Sequence, residues 1–239
     1  MKKINIICFI MGIICFSIAG YIIYNKFYKQ EEIKFNKDEE LKQVNNKLSE
    51  IGSSLGWLII TNGIDNQNED GTKYSIDYNK NLLEEDYNKQ LFTMEYILST
   101  KNENDKFILL NGFDKSEVKD ANPTDDFILA YLDYDTFNTY YKKFFNKDFD
   151  ISKQYKGDTS YDTEYVYYQN RKSGSNGVYV PMITSDNIEY KDNKYVANIT
   201  ITYSTRLATL IGKENDKGTL VYTKDINNNI ILESFMVNK

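Results

Sequence analysis

Residues 4–24 read INIICFIMGIICFSIAGYIIY, a run without one charged side chain. As a helix rising about 1.5 Å per residue, it matches a bilayer hydrocarbon core of about 30 Å. Everything after it is polar, acidic and rich in tyrosine. The sequence therefore predicts a signal anchor or transmembrane helix over 1–24, a charged juxtamembrane stalk over 25–37 and one extracytoplasmic α+β domain over 38–239. That last length buries a real core without metal or disulfide staples.

Lys2, Lys3 and the terminal amine precede the apolar run, while Lys26, Lys29, Glu31 and Glu32 follow it. The positive-inside rule then favours a cytoplasmic N-terminus and a body outside the membrane. A cleaved signal peptide is the alternative, with Ser17-Ile18-Ala19 as its small-x-small site. The apolar stretch runs on through Tyr21, Ile22, Ile23 and Tyr24, which suits an anchor better. A lipoprotein is disfavoured, because bulky Ile14 stands immediately before Cys15.

Beyond the apolar run there are 27 basic and 35 acidic residues, a net charge of −8. Such a body repels phosphate backbones, so no nucleic-acid partner is expected. The two cysteines, Cys8 and Cys15, both lie inside the run, and histidine is absent. The domain therefore has no material for disulfides, thiol catalysis, Ser-His-Asp triads or Cys/His metal sites.

From Asp38 the pattern turns helical. Leu41, Val44, Leu48, Ile51, Leu55 and Leu58 recur at spacings of three and four, and Asn62-Gly63 is the expected stop. Gly52 and Gly56 weaken the second half as a helix. The stripe packs on its own domain or, alternatively, zips into a weak parallel homodimer beside the membrane. The loop at 65–71, DNQNEDG, places Asn66, Asn68, Asp70, Gly71 and Asp77 near calcium-loop positions, with Asn and Asp where Asp and Glu are wanted. A solvated turn explains it. Tyr74, Ile76 and Tyr78 alternate as a short strand. Residues 84–100 form a helix with Tyr87, Leu91, Met94 and Leu98 on one face. Glu84, Glu85 and Asp86 suit its first turn rather than a metal site.

Residues 106–110 and 127–132 read as buried strands. Asp135 reads as an N-cap for a helix over 136–146 that buries Phe137, Tyr140, Tyr141, Phe144 and Phe145 and stops at a left-handed Asn146. Residues 165–168 and 178–183 read as strands around a loop at 171–177. The clearest β signal is Tyr195, Ala197, Ile199, Ile201 and Tyr203, alternating with polar partners after an Asp192-Asn193 turn. A loop at 212–218 and strands at 220–223 and 230–237, joined through 225–229, complete an antiparallel meander. Helices first and an antiparallel sheet last give an α+β fold with helices on one face, in the element order of a cystatin-like or NTF2-like cone.

The stretch Asp133-Tyr134-Asp135-Thr136-Phe137, with Lys142-Lys143-Phe144-Phe145-Asn146-Lys147-Asp148 behind it, resembles a pattern in uncharacterised single-pass membrane-anchored proteins of low-GC Gram-positive bacteria. There the helix ends in a Phe-Gly-Lys-Asp-like stop, and Asn146 stands here in place of Gly. The resemblance implies a location at the cell membrane and a bacterial type, and it implies nothing about function.

Ser116-Glu117-Val118-Lys119, Ser185-Asp186-Asn187 and Lys217-Gly218-Thr219 mimic the three motifs of penicillin-binding proteins. That chemistry needs its serine at the start of a buried helix, whereas Ser116 sits in a polar stretch, and the third motif has Gly and Thr reversed. Asp125, Asp126, Asp133, Asp135, Glu164 and Asp186 are the carboxylates from which a glycosidase pair could be drawn. Tyr165, Tyr167 and Tyr168 could stack on sugars, although alternating tyrosines more often belong to a sheet.

The expected function is non-catalytic: an anchored domain that binds or scaffolds an unidentified protein or cell-envelope partner. The alternatives are an envelope enzyme acting on glycans through Asp/Glu pairs and a carrier of lipid or peptide. No catalytic, cofactor-binding or metal-binding residue is assigned, and no cofactor is expected.

Overall fold

The apolar stripe that begins after residue 38 forms the helix on which the domain is built. A computed structural model describes residues 35–63, 76, 78–100, 108–109, 127–154, 164–171 and 180–239. Helix α1 (Lys37–Gly63) opens with Asp38, Glu39 and Glu40, which suit the positive end of its dipole. Val44, Leu48, Ile51, Leu55 and Leu58 are all at most 2% exposed. Each buried aliphatic side chain contributes about 1.5–3 kcal/mol. The stripe is thus the domain's own core, and these side chains are not available to a coiled-coil seam.

Helix α2 (Asp86–Thr100) packs on α1 and is buried from Asn88 to Ile97 almost all round. It starts two residues later than its charge pattern suggests. Strands β1 (Ile108–Leu109) and β2 (Phe127–Asp133) follow. Helix α3 (Tyr134–Phe145) then begins directly, capped by Asp133, whose carboxylate accepts from the Thr136 N–H at 2.9 Å. The cap is therefore Asp133 and not Asp135, because β2 runs into the helix without a loop. Asn146 ends α3 in the left-handed region at φ 50°, as expected. Tyr140 is only half-buried; Phe137, Tyr141, Phe144 and Phe145 carry the packing. Phe92 and Tyr96 of α2 meet the Phe144 ring edge-on at 5.1 and 4.7 Å. Such pairs add about 0.5–1.5 kcal/mol beyond burial.

After a short 3-10 turn (Ile151–Lys153), β3 (Tyr165–Arg171) pairs antiparallel with β2, whose other edge carries β1. These strands make a separate three-stranded sheet and do not join the C-terminal one. The C-terminal sheet is a meander of β4 (Met182–Lys191), β5 (Lys194–Thr202), β6 (Asn215–Lys224) and β7 (Ile230–Asn238), in that order. The Asp192-Asn193 turn holds both residues at positive φ, 51° and 61°, matching the twist of a two-residue hairpin. The strand expected at 178–183 is displaced: β4 starts at Met182, after Val180 and Pro181, and runs to that turn through a bulge at Ser185/Asn187, with 178–179 outside the described residues. The expected loop at 212–218 is instead the end of a helix and the start of a strand. Helix α4 (Thr205–Ile211) is capped by the Ser204 hydroxyl, and Gly212 closes it at φ 82°.

α1 lies along β4. The Asn45 amide takes both backbone groups of Ser185, accepting from its N–H at 2.8 Å and donating to its carbonyl at 3.0 Å. Further along, Gly52 faces Ile183, and Gly56 faces Val180 and Pro181. A Cβ on Gly56 would stand 2.2 Å from Val180 Cγ1. The glycines that weaken α1 as an isolated helix let it approach the strand. At the far edge, Asn79 and Leu82 N–H donate to the Val237 and Phe235 carbonyls at 2.7 and 2.8 Å. Of the expected strand at 74–78, Tyr78 makes a bridge with Val237, and residues 74, 75 and 77 lie outside the described residues. Residues Lys37–Lys239 form one unit.

Gly218 sits in β6 between Ile199 and Val237, and an added Cβ would lie 2.5 Å from the Met236 carbonyl oxygen. Backbone cannot move aside cheaply. Gly218→Ala is expected to lower unfolding stability by about 1–3 kcal/mol in urea titrations. Gly212→Asn, at a left-handed position with open space around it, should change it by far less.

Candidate functional site

Two polar clusters stand out among the described residues. The first joins three helices. Glu50 leaves α1 near Lys47, one turn back, with Nζ and Oε2 2.9 Å apart. Tyr96 of α2 donates its hydroxyl proton to Glu50 Oε1 at 2.5 Å. Lys143 of α3 reaches the same oxygen and the Tyr96 hydroxyl, each at 3.1 Å. Lys47 and Lys143 also stand 5.0 and 5.4 Å from the centre of the Phe144 ring. Burial alone would raise the Glu50 pKa, but hydrogen bonds from Tyr96, Lys47 and Lys143 prevail and bring it to about 2. Burial and its bond to Glu50 push Tyr96 up. Burial opposes the charge on Lys143, yet its bonds to Tyr96 and Glu50 carry its pKa above the ordinary value. Lys47 moves down through burial.

The second cluster closes one end of the C-terminal sheet. Asp216, on β6, is 8% exposed. It accepts the Tyr203 hydroxyl at 2.6 Å and pairs with Lys213, just past the α4 cap. Lys213 also donates to the Tyr78 hydroxyl and lies 4.4 Å from the centre of that ring. Burial and the bond to Asp216 drive the Tyr203 phenol far above its usual range. Burial works against Lys213, but Asp216 and Tyr78 outweigh it and raise its pKa. A nucleophile or general base at neutral pH needs the opposite: a lysine or tyrosine made easier to deprotonate. Tyr96, Lys143, Tyr203 and Lys213 all keep their protons more firmly, which suits hydrogen-bonded ties, while Lys47 shifts the other way through burial.

Of the carboxylates singled out from sequence, Asp133, Asp135, Glu164 and Asp186 lie in the described residues. Asp133 caps α3, and Asp135 is exposed on its first turn. Glu164 is exposed ahead of β3, and its backbone carbonyl accepts from the Tyr134 N–H at 2.9 Å. Asp186 is exposed and pairs with Lys217 at 2.8 Å across Thr200. Asp125, Asp126, the 65–71 loop, the 4–24 run, Ser116 and Lys119 lie outside the described residues. Glu85 turns to Lys80 at 2.9 Å, and Asp86 to Lys89 and Lys153, both at 3.6 Å. Tyr165 is half-buried, and the backbones of Tyr167 and Tyr168 pair with Tyr131 and Ala130.

The sequence motif Ser185-Asp186-Asn187 is the β4 bulge. The Ser185 hydroxyl donates to the carbonyls of Asn187 and Asn198, at 3.1 and 3.0 Å, and is not poised as a nucleophile. Lys217-Gly218-Thr219 lies inside β6, where Lys217 faces Asp186. Among the described residues no group of three or more acids, histidines or cysteines is placed to hold a metal ion. Sequence reasoning missed both ties. Lys47–Glu50 and Lys213–Asp216 are visible as i,i+3 pairs, but Tyr96, Lys143, Tyr203 and Tyr78 join them only through the fold.

The chain matches no family model, no curated protein and no solved structure.

The Glu50 carboxyl is depressed on folding, so its contribution is present above the ordinary carboxylate pKa and fades as pH falls toward about 2. Glu50→Gln should lower Tm clearly at pH 7, and the gap to the parent should shrink by pH 3. Tyr203→Phe leaves buried Asp216 short of a donor and should lose about 1–3 kcal/mol of unfolding stability, read by denaturant titration.

Proposed function

We propose that this chain is a single-pass, membrane-anchored extracytoplasmic domain that binds or scaffolds a partner at the cell envelope without doing chemistry itself. The observation that carries the reading is the uncharged run at 4–24, which ends 12 residues before α1 begins. Two further features support it. The tyrosines of the two polar clusters hold their protons, and the clusters tie elements together. The acidic body suits a role outside the nucleic-acid compartment. A long helix over a four-stranded antiparallel meander has the layout of a cystatin-like or NTF2-like cone, a shape that presents surfaces to partners. Among the described residues no helix is long and apolar enough to cross a membrane; the 4–24 run lies outside them.

In cells expressing the full chain with a C-terminal tag, the product should sediment with membranes and resist carbonate extraction. External protease should remove the tag from cells whose outer wall has been stripped. An intact product in the soluble cytosol would overturn the reading.

A further inference from the structure

Asp86 opens α2, and three ammonium groups converge on its carboxylate from three segments. Lys89 comes from the same helix at 3.6 Å, Lys147 from just past the end of α3 at 3.9 Å, and Lys153 from the 3-10 turn at 3.6 Å. These distances are longer than hydrogen bonds. One negative charge thus stands against three positive ones, in a chain whose net charge is −6.

The fold keeps the other acids of these segments engaged elsewhere. The left-handed Asn146 ends α3, and Asn138 fixes the chain behind it. Its amide donates to Asp148 at 2.9 Å, and its side-chain oxygen accepts from the Phe149 N–H at 2.8 Å. Asp148 also pairs with Lys142 at 3.0 Å. Asp150 feels the charge of Lys153, but its carboxylate accepts from the Ser152 N–H and hydroxyl at 3.1 and 2.6 Å. Glu85 turns to Lys80 at 2.9 Å. Glu84 reaches Lys89 through its backbone carbonyl, at 3.1 Å, and is itself exposed.

The Lys89 side chain is 14% exposed, and burial first, then the charge of Lys147, lower its pKa. Two neighbouring ammonium groups repel, and a partly exposed carboxylate beyond hydrogen-bond length offsets little of that. Tyr141 adds a donor. It is 1% exposed, its hydroxyl makes no hydrogen bond among the described residues, and the charge that acts on it is that of Asp86. A phenol so deeply buried normally has a partner.

We propose that Lys89, Lys147, Lys153 and Tyr141 form a binding site for inorganic phosphate, with Asp86 accepting from the ion's own O–H. A tetrahedral oxyanion offers acceptors to several donors at once. Phosphate keeps a proton at neutral pH for Asp86 to accept; sulfate has none and meets that carboxylate as bare charge. The first turn of α2 adds the positive end of its dipole. The acidity of the chain as a whole does not oppose this. Exposed charges beyond about 8 Å are largely screened at physiological salt, and the site itself holds three lysines against one shared acid. The site stands whether or not residues 4–24 form an anchor.

The test is equilibrium dialysis of the full chain, in nonionic detergent, against radiolabelled inorganic phosphate at low salt. One saturable site per chain is expected. Lys147→Gln and Lys153→Gln should each weaken binding about two- to fivefold and flatten its salt dependence. Tyr141→Phe should weaken it without changing the salt dependence. Lys217→Gln, on β6, is the control and should change nothing. Sulfate should compete poorly, and Asp86→Asn should remove that preference. A phosphate monoester shares the chemistry but loses its last O–H at about pH 6, so glycerol 3-phosphate should compete less well than the free ion. No saturable binding, to a chain whose circular dichroism is that of the folded protein, overturns the proposal. So does binding that Lys147→Gln and Lys153→Gln leave intact. Tighter binding of the ester overturns the assignment to free phosphate, and sulfate binding equal to phosphate overturns the role given to Asp86.

Discussion

The contact between α1 and β4 governs the rest of the domain. A bulged edge strand leaves backbone groups without a ladder partner, and Asn45 takes both of those on Ser185. Gly52 and Gly56 bring the helix axis close enough for that side chain to reach. With α1 held there, its opposite side becomes the platform for α2, and α2 in turn seats the aromatic face of α3.

Charged groups in the folded part serve this architecture. Glu50 sits where three helices meet, and its carboxylate is the acceptor that Lys47, Tyr96 and Lys143 share. Asp216 plays the same part for α4, β6 and the segment at Tyr78. Glu40 and Lys224, nearly buried, fix the start of α1 to the end of β6. A lone buried charge is costly, whereas one surrounded by donors stabilises a particular arrangement. Tyrosine recurs in these ties because it supplies an apolar body and one polar tip. The same bulk builds the ladder of Tyr190, Tyr195 and Tyr222 across three strands, with the last two stacked 5.0 Å apart.

Local signals were legible where one periodicity or one cap decides an element. The stripe of α1, the stop at Asn146, the Asp192-Asn193 turn and the alternation along β5 are all set by short-range chemistry. Signals failed where two elements abut. Asp133 and Asp135 are equally good caps in isolation, and only the continuity of β2 into α3 selects the first. Residues 212–218 carry loop-like Gly, Lys and Asn, yet Gly212 closes a helix capped by Ser204, and the ladder of β5 and β7 makes a strand from Asn215 on. Of the two ties, the sequence shows the adjacent acid–base pairs but not the tyrosines and lysine that complete them.

The amino-acid order alone determined the uncharged run at 4–24, the absence of histidine, the confinement of cysteine to that run, and an α+β layout of helices followed by antiparallel strands. These follow from composition and from periods of 3.6 and 2, which need no partner. Tertiary structure decided the rest: the split into two sheets, the use of Gly52 and Gly56 as a contact surface, and the closing of the polar clusters. Those outcomes join residues far apart in the chain, such as Asn45 with Ser185 and Glu40 with Lys224. Only packing brings such pairs within hydrogen-bond reach.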